Sequence, residues 1–290
     1  MLDPCRLSPA ARARSTVSTS LFPASIFGAK FWGVDTKRGA AAEALHRDFP
    51  RRLSGVRKST ANHMVLAELG RFPLQIHFWQ QTLRYHHRTI ALDNVLLIKL
   101  AMVDGFALDW TAVIDSWQHY LGGFLHGHLG QQQLFHKFDI ASVIERAKHQ
   151  HAFEYFADDQ HSSLMLYRTM RLEYKPAEYL FVVKCVSNRR LISRFRTGCH
   201  GLRVDTGRWA DGVHLDRTDR LCLVCKSVNC VEDEQHFVFD CPAYSHIRSQ
   251  HLGLLQHCCT IADFMTLCEP NACGGFLREC FACSKQILSV

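Results

Sequence analysis

Four residues constrain this chain more than any others: Cys222 and Cys225, then His236 and Cys241, in the arrangement C-x2-C-x10-H-x4-C. Three thiolates and one imidazole make a closed tetrahedral set for zinc, the first pair supplied by a knuckle turn and the second by a short return. A set of four protein donors leaves no coordination position for water, so the expected role is structural. In a segment this short, thiolate ligation is worth about 10–16 kcal/mol of apparent folding free energy. Cys230, inside the ten-residue spacer, is the competing but weaker ligand.

An arginine-rich run from Asn188 to Arg220 precedes the quartet, and Pro242 follows it, where a helix through Tyr244 and Arg248 can start. Ser187 is suited to cap a helix over Asn188 to Thr197, on which Leu191, Ile192 and Phe195 share one face. Arg190 and Arg194 then stand one turn apart on the other face, with Arg189 and Arg196 near the edges. Such a row of guanidinium forks suits phosphate, and the competing expectation is a solvated face salted by Glu232, Asp233 and Glu234. Trp209 and Tyr244 are the aromatic side chains nearby that are suited to stacking on bases.

Taken together, the stretch from Arg190 through Arg208, the Arg220-Leu-Cys-Leu-Val-Cys225 segment and Val231-Glu-Asp-Glu-Gln-His-Phe-Val-Phe-Asp-Cys-Pro-Ala-Tyr244 resemble the zinc-binding C-terminal region of non-LTR, LINE-type retrotransposon reverse transcriptases. That family's pattern is an arginine-flanked helix, G-x-H-x-L-x4-G-R, C-x2-C and E-D-E-x-H-F-x3-C-P. Gly198, His200, Leu202, Gly207 and Arg208 fall in place. Phe31-Trp-Gly33 and the segment Arg57 to Leu74 are similar to the part between that family's polymerase core and its zinc region. The resemblance implies a connector or thumb-like helical region, a CCHC knuckle and a helical tail. It also implies RNA and/or DNA as partners, along with other retroelement components, held through Arg189, Arg190, Arg194, Arg196 and Arg208. The catalytic fingers and palm are missing, so no polymerisation, and no enzymatic activity, is expected of this chain alone. Rival expectations are polymerase activity within a longer protein, a zinc-stabilised protein-interaction module, or a decayed element remnant.

With 47% hydrophobic residues, the 290-residue chain can bury a sizeable core in one large or two small domains. A net charge of +7 favours an anionic partner only modestly. Thirteen cysteines without an apolar signal segment point to a reducing compartment, nuclear or cytoplasmic, rather than to a disulfide framework. The most apolar run, Val95 to Val103, is interrupted by Lys99 and too short to span a bilayer, so no membrane association is expected.

Residues 1–25 read as a disordered leader, whose Arg, Ser and Ala also match an organellar transit peptide and a mitochondrial or plastid destination. Residues 26–185 read as a mainly α connector. Its expected helices are Ala41 to Leu53 with a Leu45, Phe49, Leu53 stripe, Met64 to Leu69 capped by Ser59 or Thr60 and ended by Gly70, and one that begins at Pro73. Others are expected over Asp93 to Asp104, Asp109 to Leu121, Asp139 to Ala157, Leu164 to Leu172 and Glu178 to Lys184. Residues 186–250 form the zinc-binding region and 251–290 a helical, Cys-rich tail.

Phe156-Ala-Asp-Asp159 imitates a metal-holding aromatic-x-Asp-Asp box. It ends a helix-period segment instead of sitting on a hairpin between apolar strands, so no catalytic role is expected. His200 is expected to hold a glycine turn by hydrogen bonds. Cys258, Cys259, Cys268, Cys273, Cys280 and Cys283 are read as small apolar residues of a packed helical tail, with a second metal site lacking a convincing partner pair.

Overall fold

The structure is a computed structural model and describes residues 36–90, 140–157, 162–171, 173–210 and 213–289. The leader, the helices expected over Asp93 to Asp104 and Asp109 to Leu121, and Asp158 and Asp159 lie outside the described residues. Those residues are mainly helical and divide into two compact units, one comprising 36–48, 71–90 and 140–157, the other 49–70, 162–171, 173–210 and 213–289.

In the first unit, α1 (Thr36–Ser54, which continues into the second unit), α3 (Leu74–Ile90) and α4 (Ile140–Ala157) carry the core. Leu74, Ile76, Phe78 and Trp79 of α3 are buried, as are Ile144 and Ala147 of α4, which packs against it. The expected stripe on α1 is displaced, because Leu45 is 69% exposed while Ala42 and His46 are buried. Polar chemistry sets that rotation. The Glu43 carboxylate accepts the Leu74 N–H at 2.7 Å, which satisfies the first turn of α3, and His46 Nε2 meets the Phe72 carbonyl at 3.2 Å. Burial, with help from Arg71, pushes His46 down to about 4.

The second unit begins with α2 (Asn62–Glu68), buried from Met64 through Glu68. Its N-cap is Ala61, without a side-chain cap, so neither Ser59 nor Thr60 serves as expected. The Arg51 guanidinium instead reaches the Thr60 carbonyl and the Asn62 side chain. Gly70 ends the helix at φ +58°, and a Cβ there would lie 2.5 Å from Pro176. Only glycine serves both the left-handed turn and that close approach. The Ala177 N–H donates to the Glu68 carbonyl at 2.8 Å, fastening α2 to the strand-like segment before α6 (Tyr179–Val182).

Glu68 is the hub of this unit. Its Oε1 accepts from Tyr167 of α5 (Ser162–Thr169) at 2.8 Å, from Arg196 at 3.1 Å and from Arg171 at 3.4 Å. Burial acts to raise the Glu68 pKa, but Arg196 and Arg171 hold it below the ordinary carboxylate value.

Helix α7 (Val186–Arg196) lies along α12 (Pro270–Leu288). Their approach depends on Gly274, where a Cβ would come within 2.7 Å of Asn188. Between them in sequence come α8 (Arg203–Thr206), a hairpin of β1 (Trp209–Ala210) and β2 (Val213–His214), and α9 (Ser245–Gln250). After these come α10 (Leu252–Leu255) and α11 (Ile261–Thr266). The hairpin is antiparallel with Trp209 opposite His214. A core of Phe195, Phe237, Phe264, Phe276, Leu277 and Cys280 is fully buried, worth about 1.5–3 kcal/mol for each large side chain. The tail is thus part of the unit that holds the Cys/His quartet, with Cys273 and Cys280 in its core. No helix among the described residues is long and apolar enough to cross a membrane.

Candidate metal centre

Cys222, Cys225, His236 and Cys241 converge, with one ligand atom from each within 4.8 Å of all the others. Cys225 Sγ and His236 Nε2 are 3.4 Å apart, close to the roughly 3.6 Å edge of a tetrahedron built with ordinary zinc–sulfur and zinc–nitrogen bonds. The four residues can therefore hold one metal ion, and the donor set fits zinc.

Two local devices bring the ligands together. In the first, Leu221 pairs with Val231, the Cys222 N–H donates to the Cys230 carbonyl at 2.8 Å, and the Lys226 N–H closes back on the Cys222 carbonyl at 3.1 Å. Lys226 and Asn229 take positive φ, at 55° and 60°, to complete the knuckle. Cys230 contributes its carbonyl to this turn and is not one of the grouped side chains. The second device is a π-turn over His236–Asp240, in which the Cys241 N–H donates to the His236 carbonyl at 2.7 Å. In an α-helix residues five apart point about 140° from each other, whereas the wider π-turn returns them toward one side. The x4 spacing of the second pair has its physical reason there.

The acidic run Glu232-Asp233-Glu234 builds the frame for this turn. Asp233 Oδ1 accepts the His236 N–H at 3.0 Å. Glu232 accepts the Arg203 N–H at the start of α8 at 3.1 Å, and Glu234 Oε1 lies 2.7 Å from His200 Nε2. His200 Nδ1 in turn accepts the Leu202 N–H at 3.4 Å, so this histidine holds the glycine turn after α7 and takes no part in the metal group. The acids are occupied within the frame and do not salt the arginines of α7. Phe237, inside the π-turn, packs against Tyr244 at 5.0 Å and Phe281 at 4.7 Å, tying the site to α12.

Burial pushes Cys222 up to about 12 and Cys241 up to about 11. Cys225 is drawn below its ordinary value: burial opposes this, but hydrogen bonding at Ser227 outweighs it. Burial lowers His236, which keeps its ring neutral and able to ligate. Crowded thiols that are costly to ionise alone are resolved by a bound dication, whose charge favours the thiolates.

The predicted phosphate contacts separate into two groups. Arg190, Arg194 and Arg208 are exposed. Arg189 and Arg196 are buried, at 7% and 6% exposure, which corrects the expectation that they join the outward row. Arg189 donates to the Val183 carbonyl at 3.1 Å, and Arg196 pairs with Glu68 and stacks over the Tyr179 ring at 5.6 Å. Tyr244 is also corrected: at 1% exposure it is core, whereas Trp209 is 67% exposed, edge-on to His214.

The end of α1 and the turn that follows it, residues 52–58, add basic groups that the sequence did not connect to α7. Gly55, at φ +66°, sits so close to the Arg190 stem that a Cβ would lie 3.0 Å from its Cδ, and Arg194 Nε donates to the Gly55 carbonyl at 2.5 Å. Arg52, in the last turn of α1, and Lys58, past Gly55, are exposed on either side of this turn. Arg57 is anchored by its side chain to the His200 carbonyl at 2.8 Å and to Asp205 at 2.7 Å. No sequence pattern links positions 139 residues apart; the left-handed glycine was the only local sign of a close approach. Comparison with known proteins returns no matching family model, curated protein or solved structure.

Proposed function

We propose that this chain is a zinc-stabilised nucleic-acid-binding protein that holds RNA or single-stranded DNA without polymerising it, in keeping with its resemblance to the post-polymerase region of LINE-type reverse transcriptases. The observation that carries the reading is the exposed pair Arg190 and Arg194 on α7, both in contact with Gly55, with exposed Arg52 and Lys58 three residues to either side of that glycine and Arg57 tied to the chain leading into the metal site. The ion is structural: it closes the knuckle and leaves no position for water. Guanidinium and ammonium groups on such a surface neutralise phosphates with little regard to base sequence. Binding of fluorescent RNA and DNA oligonucleotides at two salt concentrations, with metal content measured on the same sample, tests this. Salt-insensitive or undetectable binding by a zinc-loaded chain sinks it.

A zinc-stabilised protein-interaction module is the second reading, favoured by exposed apolar side chains on the knuckle itself. Leu223 is 45% exposed and Val228 84%. On that reading Leu223→Ser with Val228→Ser abolishes capture of a protein partner, and oligonucleotide binding is absent from the start.

A further inference from the structure

Three thiols gather where α10, α11 and the start of α12 meet, and they are not equivalent. Cys258 Sγ and Cys268 Sγ are 3.1 Å apart, and both approach the Leu254 carbonyl, at 3.7 and 3.1 Å. Cys273, 3% exposed, directs its thiol to the Phe264 carbonyl at 3.4 Å and also lies against Cys268. Among the described residues the only grouping suited to a metal is the Cys222, Cys225, His236, Cys241 set, so these thiols do not make a second cage. What the fold provides here is a dithiol.

We propose that Cys258 and Cys268 are a disulfide-forming pair, oxidised by a low-molecular-weight disulfide that reaches Cys268 through an open pocket. The pocket, of about 650 Å³, is lined by Cys268 together with Met265, Leu267, Pro270, Tyr179 and Arg196. Cys268 and Cys273 both line this pocket, but Cys268 is half-buried while Cys273 is 3% exposed, so Cys268 is the more accessible thiol; Cys258 is buried and does not line it. The loop between them is already fixed. Thr260 and Asp263 form a reciprocal capping box at the start of α11, and the Cys259 N–H donates to Asp263 Oδ2 at 3.1 Å. That bond helps hold the backbone next to Cys258, and Cys259 itself is exposed.

The chemistry is two thiol–disulfide exchanges. The Cys268 thiolate attacks one sulfur of oxidised glutathione, forming a mixed disulfide and releasing one glutathione thiolate. The Cys258 thiolate then attacks the Cys268 sulfur and releases the second. The protein loses two protons and two electrons, and the reagent gains both as two molecules of glutathione. Burial, with Cys258 adding to it, pushes Cys268 up to about 12, so the first step is slow at neutral pH and accelerates as pH rises.

The test uses the full metal-loaded chain, incubated with excess oxidised glutathione, quenched in acid, alkylated and mapped without reduction. The expected product is a cross-linked peptide joining Cys258 to Cys268, formed about tenfold faster at pH 8.5 than at pH 7.5, as thiolate population dictates. Cys258→Ser is expected to accumulate a mixed disulfide at Cys268, because the resolving thiol is gone. Equal alkylation of Cys258 and Cys268 before and after treatment of the wild-type protein overturns the proposal, and so does a cross-link that joins Cys268 to Cys259 or to Cys273. The wild-type map decides even where a variant fails to fold.

Discussion

Arg196 Nε and Glu68 Oε1 form a 3.1 Å ion pair in the interior, their side chains 7% and 2% exposed. Arg171 shares the same oxygen at 3.4 Å, so one carboxylate serves two guanidinium groups. Removing one partner from such a group strands the others in a medium that solvates charge poorly. Glu68→Gln is therefore expected to destabilise the protein by about 3–5 kcal/mol, and Arg196→Gln by a similar amount. Arg190→Gln, on the exposed face of the same helix, should change stability by less than about 0.5 kcal/mol. Urea unfolding of the three variants checks the ordering; an Arg196→Gln protein as stable as Arg190→Gln would show that the triad contributes nothing to the fold.

Metal content separates the four grouped residues from the fifth nearby cysteine. One zinc per chain is expected in wild type and in Cys230→Ser, because Cys230 holds the knuckle through its backbone carbonyl, which serine retains. Cys222→Ser and His236→Ala should lose the metal. Elemental analysis after gel filtration gives the stoichiometry, and loss of metal from Cys230→Ser equal to that from Cys222→Ser would displace the ligand assignment. Chelation is expected to leave most of the helical circular dichroism in place, since the buried contacts of α3, α4 and the α7–α12 pair need no ion.

The Cys222, Cys225, His236 and Cys241 group was legible in sequence for a chemical reason: a metal-holding set needs particular donor types, and short spacers give the chain few ways to bring them together. The acids around His236 were visible as a motif, but their roles were not, since Glu232, Asp233 and Glu234 each satisfy a group on a different segment. On α7 the pattern decides only the two outer arginines. A helical wheel leaves Arg189 and Arg196 at the edges of the apolar face, and what turns Arg196 inward is a carboxylate 128 residues earlier in the chain. Leu45 leaves the expected stripe for the converse reason, because Glu43 and His46 have partners at Leu74 and Phe72 that periodicity does not reveal.

His46 makes the stability of its unit depend on pH. Its folded value is about 4 and its ordinary value 6.5, so on acidification the unfolded chain takes up a proton that the folded protein refuses. Stability is complete above pH 6.5 and falls as pH drops toward 4. Between pH 7.5 and 5.5 the expected loss is about 1.4 kcal/mol, one unit of proton uptake by the unfolded state alone. His46→Gln should flatten this slope over the same window, a difference that cancels any acid release of metal common to both proteins. Parallel profiles for the two proteins would place the sensitivity elsewhere.

The proposed nucleic-acid surface makes the most demanding prediction, because the interior placement of Arg189 and Arg196 narrows it to particular side chains. Arg190 and Arg194 are exposed and one helical turn apart, and exposed Arg52 and Lys58 flank Gly55, which touches both α7 arginines. On a single strand, log affinity falls against log salt by about 0.7 for each phosphate neutralised. Arg190→Gln combined with Arg194→Gln should therefore flatten the salt slope by about 1–1.5 units and weaken oligonucleotides of different sequence alike. Arg52→Gln with Lys58→Gln should produce a second decrement of similar size, since each pair supplies separate phosphate contacts. Both double variants are expected to fold and to retain their zinc, as none of the four side chains is a ligand or a core residue. Arg208→Gln, farther along the chain beside the exposed Trp209, distinguishes a strand that continues over the hairpin from one that ends at α7: a continued path gives a further loss, an ended path none. A folded, zinc-loaded Arg190/Arg194 double variant with unchanged affinity and slope would leave α7 with an ordinary solvated face and remove the observation on which the binding surface rests.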